Sequence, residues 1–311
     1  MEKISYRRTR DVGAVFSATF AFLKQNFKTF YGSILLFSGP FLFAGSMLTS
    51  FVRMPLDGIF SGLPFQVGNF LTVYTSTIMA LFLGIVIFMV VLNKNIIVNE
   101  TLPADQKPTL SIIRYDFFLD FWRMLLNTLL FIAVLLFIGA CLYGIFYIFF
   151  YLIDEMSYSG GLSSIFAILF SLVFAIVLLP VIGFVPVGAF FICQRDGISI
   201  VTALAKVFYY LKGNFWTTWV LSLLAFITYF LMALIVQIPM IVMSLFTTFS
   251  RVSIVSFYGD RSILILMVTA ISTLLTYLVV ALYYLLNIFH FTNLEEKKEG
   301  SRLIENIKQI N

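Results

Sequence analysis

The sequence predicts an all-α integral membrane protein with six transmembrane helices, because six long apolar stretches of the chain contain no charged residue. Only 11% of the 311 residues are charged, whereas a soluble domain carries about 25%. Six apolar stretches contain no Asp, Glu, Lys, Arg or His, and each has the length of about 20 residues that a helix needs to cross the hydrocarbon core. The predicted spans are Tyr31–Phe51, Phe70–Leu92, Met124–Ile153, Ser163–Cys193, Thr217–Phe249 and Ser262–Phe289.

The basic residues predict that both termini lie in the cytoplasm. Lys and Arg accumulate in cytoplasmic loops, whereas Asp and Glu have little influence on orientation. All but three of the 20 Lys and Arg residues fall on the side of the two termini, and the exceptions are Arg53, Arg251 and Arg261. We call this basic side of the predicted bundle the basic rim. It predicts attraction to anionic lipids of the cytoplasmic leaflet and requires no nucleic-acid partner.

A threefold internal repeat is predicted from the segments that precede the first, third and fifth spans. The aligned segments, which give a period of 94 residues, are Gln25–Lys28, Leu119–Trp122 and Gly213–Trp216. The second span of each unit does not keep this register, and ordinary amphipathic connectors of similar composition are the alternative explanation. The predicted organisation is one membrane domain, 1–293, with repeats of approximately 10–103, 104–197 and 198–293, followed by a cytoplasmic tail, 294–311.

Each repeat is expected to begin with an amphipathic helix in the membrane interface. In the first copy the apolar residues recur at helical spacing and form one face, opposite Lys24 and Lys28. These apolar residues are Phe16, Phe20, Leu23, Phe27 and Phe30. The other copies are Leu110–Phe121 and Ile200–Phe215, with Thr109 and Asp196 as start signals. With a transmembrane hairpin after each helix, a pseudo-threefold axis along the membrane normal relates the units.

The predicted tail contains a short apolar stripe that could dock on the basic rim or meet a partner. The stripe comprises Leu303, Ile304, Ile307 and Ile310. Isolated helices of this length are marginal in water, so we expect the tail to be mostly disordered by itself.

Two parts of the chain resemble known families. The stretch Arg8–Lys28, followed by an apolar run with Gly39-Pro40, resembles the opening of an uncharacterised family of integral membrane proteins from Bacteroidota. The element Leu-Lys-x-Asn-Phe, at Leu23–Phe27 and Leu211–Phe215, resembles the membrane domain of some bacterial glycerophosphodiester phosphodiesterases. The middle head, Phe117–Phe121, departs from this pattern. The resemblance implies a six-helix module of the bacterial inner membrane without known catalytic residues, so no site carries over.

The residues predict no catalytic, cofactor-binding or metal site, and therefore no enzyme. A metal site needs three or four His, Cys or carboxylate ligands, whereas Cys141 and Cys193 are isolated within predicted spans and His290 is expected to be solvated at the end of the sixth span. The acidic pairs Asp154-Glu155 and Glu295-Glu296 are expected to be solvated outside the bilayer. Asp116 and Asp120 are expected to form local ion pairs with Arg114 and Arg123.

Uncharged residues that break or bridge helices are the remaining candidates for a site. Helix breaks in transporters free backbone groups to bind substrate, although prolines more often only bend a helix. We favour helix packing for these positions, with the two amides bridging helices. The candidate helix-break or polar intramembrane positions are Pro40, Asn127, Pro180, Pro186, Gln237 and Pro239.

Three hypotheses of function follow. The first is a non-enzymatic inner-membrane scaffold, assembly or regulatory subunit that contacts a membrane or cytoplasmic protein partner or organises lipid. The alternative is a channel or transporter for an apolar or amphiphilic solute, which intramembrane carboxylates do not drive. The third, a membrane-embedded lipid enzyme, requires Asp116, Asp120 and His290 to converge on one pocket.

Overall fold

The described residues of the protein form α-helices joined by short connections, with no strand among them. The computed structural model describes residues 9–60, 67–103, 106–156, 169, 178, 183–249 and 262–310. The helices are α1 (Val12–Phe37), α2 (Gly39–Phe60), α3 (Val67–Thr101), α4 (Leu110–Arg114), α5 (Phe117–Met156), α6 (183–196), α7 (Ile200–Leu211), α8 (Phe215–Phe249) and α9 (Ser262–Ile310). The predicted all-α class is confirmed for this part of the chain.

Four of these helices contain a segment long and apolar enough to cross a membrane. Only 11% of the most apolar stretch of α5 and 17% of that of α8 is buried, so both helices turn apolar side chains outward. The bent pair α1 and α2 adds a fifth segment, Val12–Phe37 with Gly39–Thr49. The four segments are Leu71–Thr101, Phe117–Cys141, Phe215–Val242 and Met267–Gly300. The chain is therefore a multi-pass α-helical membrane protein. The predicted fourth span, Ser163–Cys193, lies mostly outside the described residues.

Helices α1 and α2 meet at a bend of 52°. The bend follows Ser38, whose hydroxyl and backbone N–H both donate to the carbonyl of Ile34, and Pro40 lies in the first turn of α2. Proline is tolerated in a first turn because the N–H that it lacks would have no partner within the helix.

The three predicted interfacial helices differ from one another. The first is continuous with α1 and has no break of its own. The expected helix over Leu110–Phe121 is wrong, because Asp116 has a left-handed backbone (φ 52°) that separates α4 from α5. The third ends at Leu211, where Gly213 at φ 86° precedes α8. Its N-cap is also not Asp196 but Ser199, whose hydroxyl accepts from the N–H of Thr202.

The segment predicted as a cytoplasmic tail is helical up to Ile310 and continues the last helix. Helix α9 continues from its apolar part to Ile310 without interruption. Leu294 and Glu295, where the tail was expected to begin, are buried. The start of this segment packs against other helices through these two residues, so it is not the isolated helix that would be marginal in water.

The core lies where α1, α3, α6 and α9 meet, and phenylalanine fills it. The ring of Phe22 lies 5.9 Å from that of Phe289, and the ring of Phe184 lies 6.3 Å from that of Phe291. The largest fully buried aromatic side chains are Phe22, Phe30, Phe184, Phe191, Phe289 and Phe291.

Helices α2 and α3 approach each other closely at two glycines. A Cβ atom on Gly45 would lie 2.6 Å from Cδ2 of Leu81, and one on Gly84 would lie 2.8 Å from Cδ2 of Leu42. Small residues of this kind let transmembrane helices pack at short distance, where dispersion contacts are strongest.

Candidate functional site at the charged end of the bundle

The carboxyl end of α6 is joined to α9 by a largely buried ion pair. The Nη1 and Nη2 atoms of Arg195 donate to the two carboxylate oxygens of Glu295 over 2.7 and 2.6 Å. Burial disfavours the Arg195 cation, but its hydrogen bonds to Glu295 and Asp196 outweigh that effect and raise the pKa of Arg195. The expectation that Glu295 is solvated is therefore wrong, because α9 carries it into contact with α6.

Two further contacts hold α7 and the start of α8 against α9. The hydroxyl of Tyr210 donates to Glu299 over 2.8 Å, and Lys297 donates to the amide oxygen of Asn214 over 3.0 Å. Burial, with the nearby Glu299 carboxylate, raises the pKa of Tyr210, so its phenol stays protonated and can donate. We call these two contacts and the Arg195–Glu295 pair the α9 clamp.

Asp196 extends this cluster to the outer face of α7. Its carboxylate accepts from Nε of Arg195 over 2.9 Å and from Nζ of Lys206 over 3.1 Å. Partial burial raises the pKa of Asp196, but the two cations lower it further, and the net pKa lies below the ordinary value.

The segment before α1 reaches the same end of the bundle. The backbone N–H of Arg10 donates to Oδ1 of Asn293 over 2.6 Å, and Nδ2 of Asn293 donates back to the carbonyl of Arg10 over 3.0 Å. This paired contact places the beginning of α1 beside the α9 clamp.

Lys94 and Asp120 form a second link, between α3 and α5. Nζ of Lys94 donates to Oδ2 of Asp120 over 2.6 Å and also to the carbonyl of Tyr115. The expected local ion pairs of Asp116 and Asp120 with Arg114 and Arg123 are absent from the described residues. The prediction is wrong because the break at Asp116 reorients the segment and α3 supplies the cation from outside.

A cavity of about 10 Å³, the size of one water site, lies beside this link. It is lined by Asp120, Arg123, Met124, Asn127, Cys193 and Gln194. Asn127 bridges α5 and α7, because its Oδ1 accepts from the N–H of Ile200 over 2.9 Å. Nε2 of Gln194 donates to the carbonyl of Val90 over 3.2 Å, while its Oε1 is buried without a partner.

The other candidate positions lie on several helices. Gln237 also bridges two helices, since its Nε2 donates to the hydroxyl of Thr276 on α9 over 3.0 Å. Pro239 lies inside α8 and Pro186 lies in the described part of α6. Pro180 falls outside the described residues. Among the candidates that the structure describes, Asn127 bridges α5 and α7 while Gln237 bridges α8 and α9, and no contact joins these two amides.

His290 is fully buried, so the expectation of a solvated tip is wrong. Its Nε2 lies 2.9 Å from the hydroxyl of Thr218 on α8, and its ring packs edge-on against Phe184. Nδ1 has no hydrogen-bond partner. The sequence signal was the spacing Asn287, His290, Asn293, which places three polar residues on one face of an otherwise apolar helix.

A second buried polar contact could not be predicted from the sequence either. The hydroxyl of Tyr284 donates to Oδ1 of Asn93 over 2.9 Å, and Nδ2 of Asn93 donates to the carbonyl of Phe190 over 3.3 Å. These bonds join α3, α6 and α9 within the core. Asn93 directly follows the predicted second span, where a polar residue is expected to face water.

The residues required for a lipid enzyme do not converge. Asp120 contacts Lys94, whereas His290 contacts Thr218. Asp116 lines a separate groove with neither of them. Within the part of the chain that the structure describes, no three His, Cys or acidic residues come together in a metal-binding geometry.

Comparison with known proteins identifies no relative of this chain. No protein-family model, curated protein or solved structure matches the chain. The resemblance to the Bacteroidota family and to the phosphodiesterase membrane domain stays a prediction.

Proposed function

We propose that the chain is a non-enzymatic scaffold or assembly subunit of the bacterial inner membrane, which also organises anionic lipid along its basic rim. The observation that carries this proposal is the α9 clamp. Its ionic groups hold helices together, with Glu295 buried and Arg195 largely buried. Ionic groups that are held in contact with each other are not available to a substrate or a transported ion, and this supports a structural role for them.

The filled core supports the same proposal. A channel along the bundle axis needs a polar or open centre, but phenylalanine rings occupy the region where α1, α6 and α9 meet. The exposed cations on the outside include Lys24 and Lys28 of α1 and Lys212 after α7. Each such residue near an anionic leaflet is worth about 1 kcal/mol of attraction.

We infer a topology of six spans in three repeated hairpins, with both termini in the cytoplasm. Supporting this, Arg10 contacts Asn293, so the segment before α1 and the end of the apolar part of α9 lie at the same end of the bundle.

A test is labelling of single cysteines introduced at Lys28, Lys212 and Arg251 in intact cells. Only the Arg251→Cys variant should react with an impermeant maleimide; labelling of Lys28→Cys would contradict the orientation.

The scaffold proposal is tested by in-cell crosslinking, mild purification of the full chain and mass spectrometry. A reproducible stoichiometric protein partner is expected, and the triple variant Lys24→Glu, Lys28→Glu, Lys212→Glu should reduce anionic lipid recovered with the protein. The matched control, with Gln at the same three positions, removes charge without reversing it and should have a smaller effect. Recovery of the chain alone, with lipid in bulk proportions, would contradict the proposal.

A passage for an apolar or amphiphilic solute is the second candidate, and buried polar atoms without partners favour it. Among the described residues these atoms are Gln194 Oε1, Ser222 Oγ, Asn287 Oδ1 and His290 Nδ1. Such atoms are costly to bury unless something solvates them. The passage predicts solute flux into liposomes that Ser222→Leu blocks, and equal flux in empty liposomes would exclude it.

A further inference from the structure

A groove of about 710 Å³ lies between the end of α1 and the short helix α4. The groove is open along one side, so it can cover only one face of a ligand. Leu36, Phe37, Leu110, Ser111, Arg114, Tyr115 and Asp116 line it.

Two contacts fix the frame of the groove. The hydroxyl of Thr29 on α1 donates to the carbonyl of Pro108 over 3.2 Å. The rings of Phe37 and Phe117 stack with their centroids 4.9 Å apart. The groove is therefore part of the packed structure, because both ends of α4 are anchored to neighbouring elements.

The wall of the groove is apolar and uncovered. The exposed fractions of Leu36, Leu110 and Tyr115 are 59%, 42% and 73%. Leu36 lies a short way into the predicted first span, and Arg114 precedes the predicted third span. The groove thus extends from the headgroup region towards the hydrocarbon, where a lipid chain can cover the wall.

Two exposed side chains of opposite charge, Arg114 and Asp116, lie at the end of the groove that faces water. Arg114 and Asp116 are two residues apart, and neither side chain forms an ion pair with any described residue. The left-handed backbone of Asp116 ends α4, and Lys94 is occupied by Asp120 and the carbonyl of Tyr115. One cation and one carboxylate therefore remain for a ligand.

We propose that this groove binds a zwitterionic phospholipid that carries a primary amine. Arg114 contacts the phosphate, Asp116 accepts hydrogen bonds from the ammonium group, and an acyl chain lies on Leu36 and Leu110. A lipid with only a phosphate would leave Asp116 without a partner, and a trimethylated amine has no N–H to donate. This site rests on the proposed function in that it requires the membrane placement described above.

The test is native mass spectrometry of the full chain in detergent with equimolar phosphatidylethanolamine, phosphatidylcholine and phosphatidylglycerol. The wild type is expected to retain phosphatidylethanolamine about tenfold better than phosphatidylcholine, as one charged hydrogen bond implies. Asp116→Asn should bring this ratio close to one, since Asn tolerates the left-handed backbone but carries no charge. Arg114→Gln should weaken binding of both lipids.

Matched variants separate charge from backbone and from general attraction. Asp116→Gly relaxes the backbone and should lose the preference like Asp116→Asn. Lys28→Gln removes an exposed cation of α1 outside the groove and should keep the preference. If Arg114→Gln fails to fold, Ser111→Trp, which narrows the groove, should lower the binding of both lipids in its place.

Equal retention of phosphatidylethanolamine and phosphatidylcholine by the wild type, or an unchanged ratio in Asp116→Asn, would overturn the site. Preferred binding of phosphatidylglycerol that Lys28→Gln and Arg114→Gln reduce equally would also overturn it, leaving only attraction to the basic rim. Neither result bears on recovery of a protein partner, which tests the proposed function separately.

Discussion

The guanidinium of Arg195 and the carboxylate of Glu295 meet through two hydrogen bonds although 100 residues separate them in the chain. Both side chains are nearly inaccessible, with exposed fractions of 12% and 5%. The pair therefore joins α6 to α9 in surroundings where either charge alone would be costly.

Removal of one partner of this pair should strongly destabilise the protein. We expect Glu295→Gln to lower the free energy of unfolding by about 2–3 kcal/mol, because Arg195 loses its bidentate partner and keeps only Asp196 as a counter-charge. Denaturation in mixed micelles measures this loss.

The more exposed pair between Lys206 on α7 and Asp196 at the end of α6 provides the control. Lys206→Met breaks the contact with Asp196, but the Lys206 side chain is 45% exposed, so the cost should stay below about 1 kcal/mol. The double variant Arg195→Met, Glu295→Leu should cost less than Glu295→Gln alone. Equal losses in Glu295→Gln and Lys206→Met would contradict the assignment of a buried pair.

Alanine at Gly45 should destabilise the contact between α2 and α3. The added Cβ would lie 2.6 Å from Leu81, and overpacking of this kind costs about 1–3 kcal/mol. Gly32→Ala on α1 is the matched control, because no atom lies within 4 Å of its new Cβ. That variant should be neutral or more stable by about 0.5–1 kcal/mol in the same denaturation experiment. A Gly45→Ala protein as stable as Gly32→Ala would exclude the close contact.

Asp196 should make a small pH-dependent contribution to stability. Its pKa in the folded protein is lowered, so the folded state favours the carboxylate. The contribution is present above the unfolded-state pKa of about 3.9 and is lost as the pH falls through the lower folded-state pKa. Unfolding of the wild type and of Asp196→Asn should therefore differ by about 0.5–1 kcal/mol at neutral pH and converge in strong acid. A difference that grows on acidification would have the wrong sign.

Asn127 should stabilise the start of α7. Its Oδ1 accepts from the N–H of Ile200, one of the groups at a helix start that lack partners within the helix. Asn127→Ala should lower the free energy of unfolding by about 1 kcal/mol, the usual value of a lost cap. Asn127→Asp retains the acceptor and should recover most of this loss, whereas equal effects of Ala and Asp would refute the capping role.

The membrane-spanning helices could be predicted because charge is excluded from hydrocarbon. The second, third, fifth and sixth predicted spans each overlap a helix that can cross the membrane, and the bend at Ser38 lies beside the glycine and proline of the first. These features depend on local composition, which a single sequence contains in full.

The charged end of the bundle could not be predicted because its contacts join distant segments. Glu295 beside Glu296 has the local pattern of a solvated acidic pair, and only its contact with Arg195 makes it a buried residue. In the same way, Asp120 finds its cation on α3 and not on its own helix. The burial of His290 could not be predicted for the same reason, since its partner Thr218 lies 72 residues away.

The contact between Arg10 and Asn293 has a consequence for biogenesis. During synthesis the segment before α1 leaves the ribosome long before the part of α9 that contains Asn293. Its partner therefore does not exist while the earlier helices enter the bilayer, and the bundle closes only in a late docking step. Nascent chains truncated before α9 should therefore keep the start of α1 accessible to proteases, whereas the full chain should protect it.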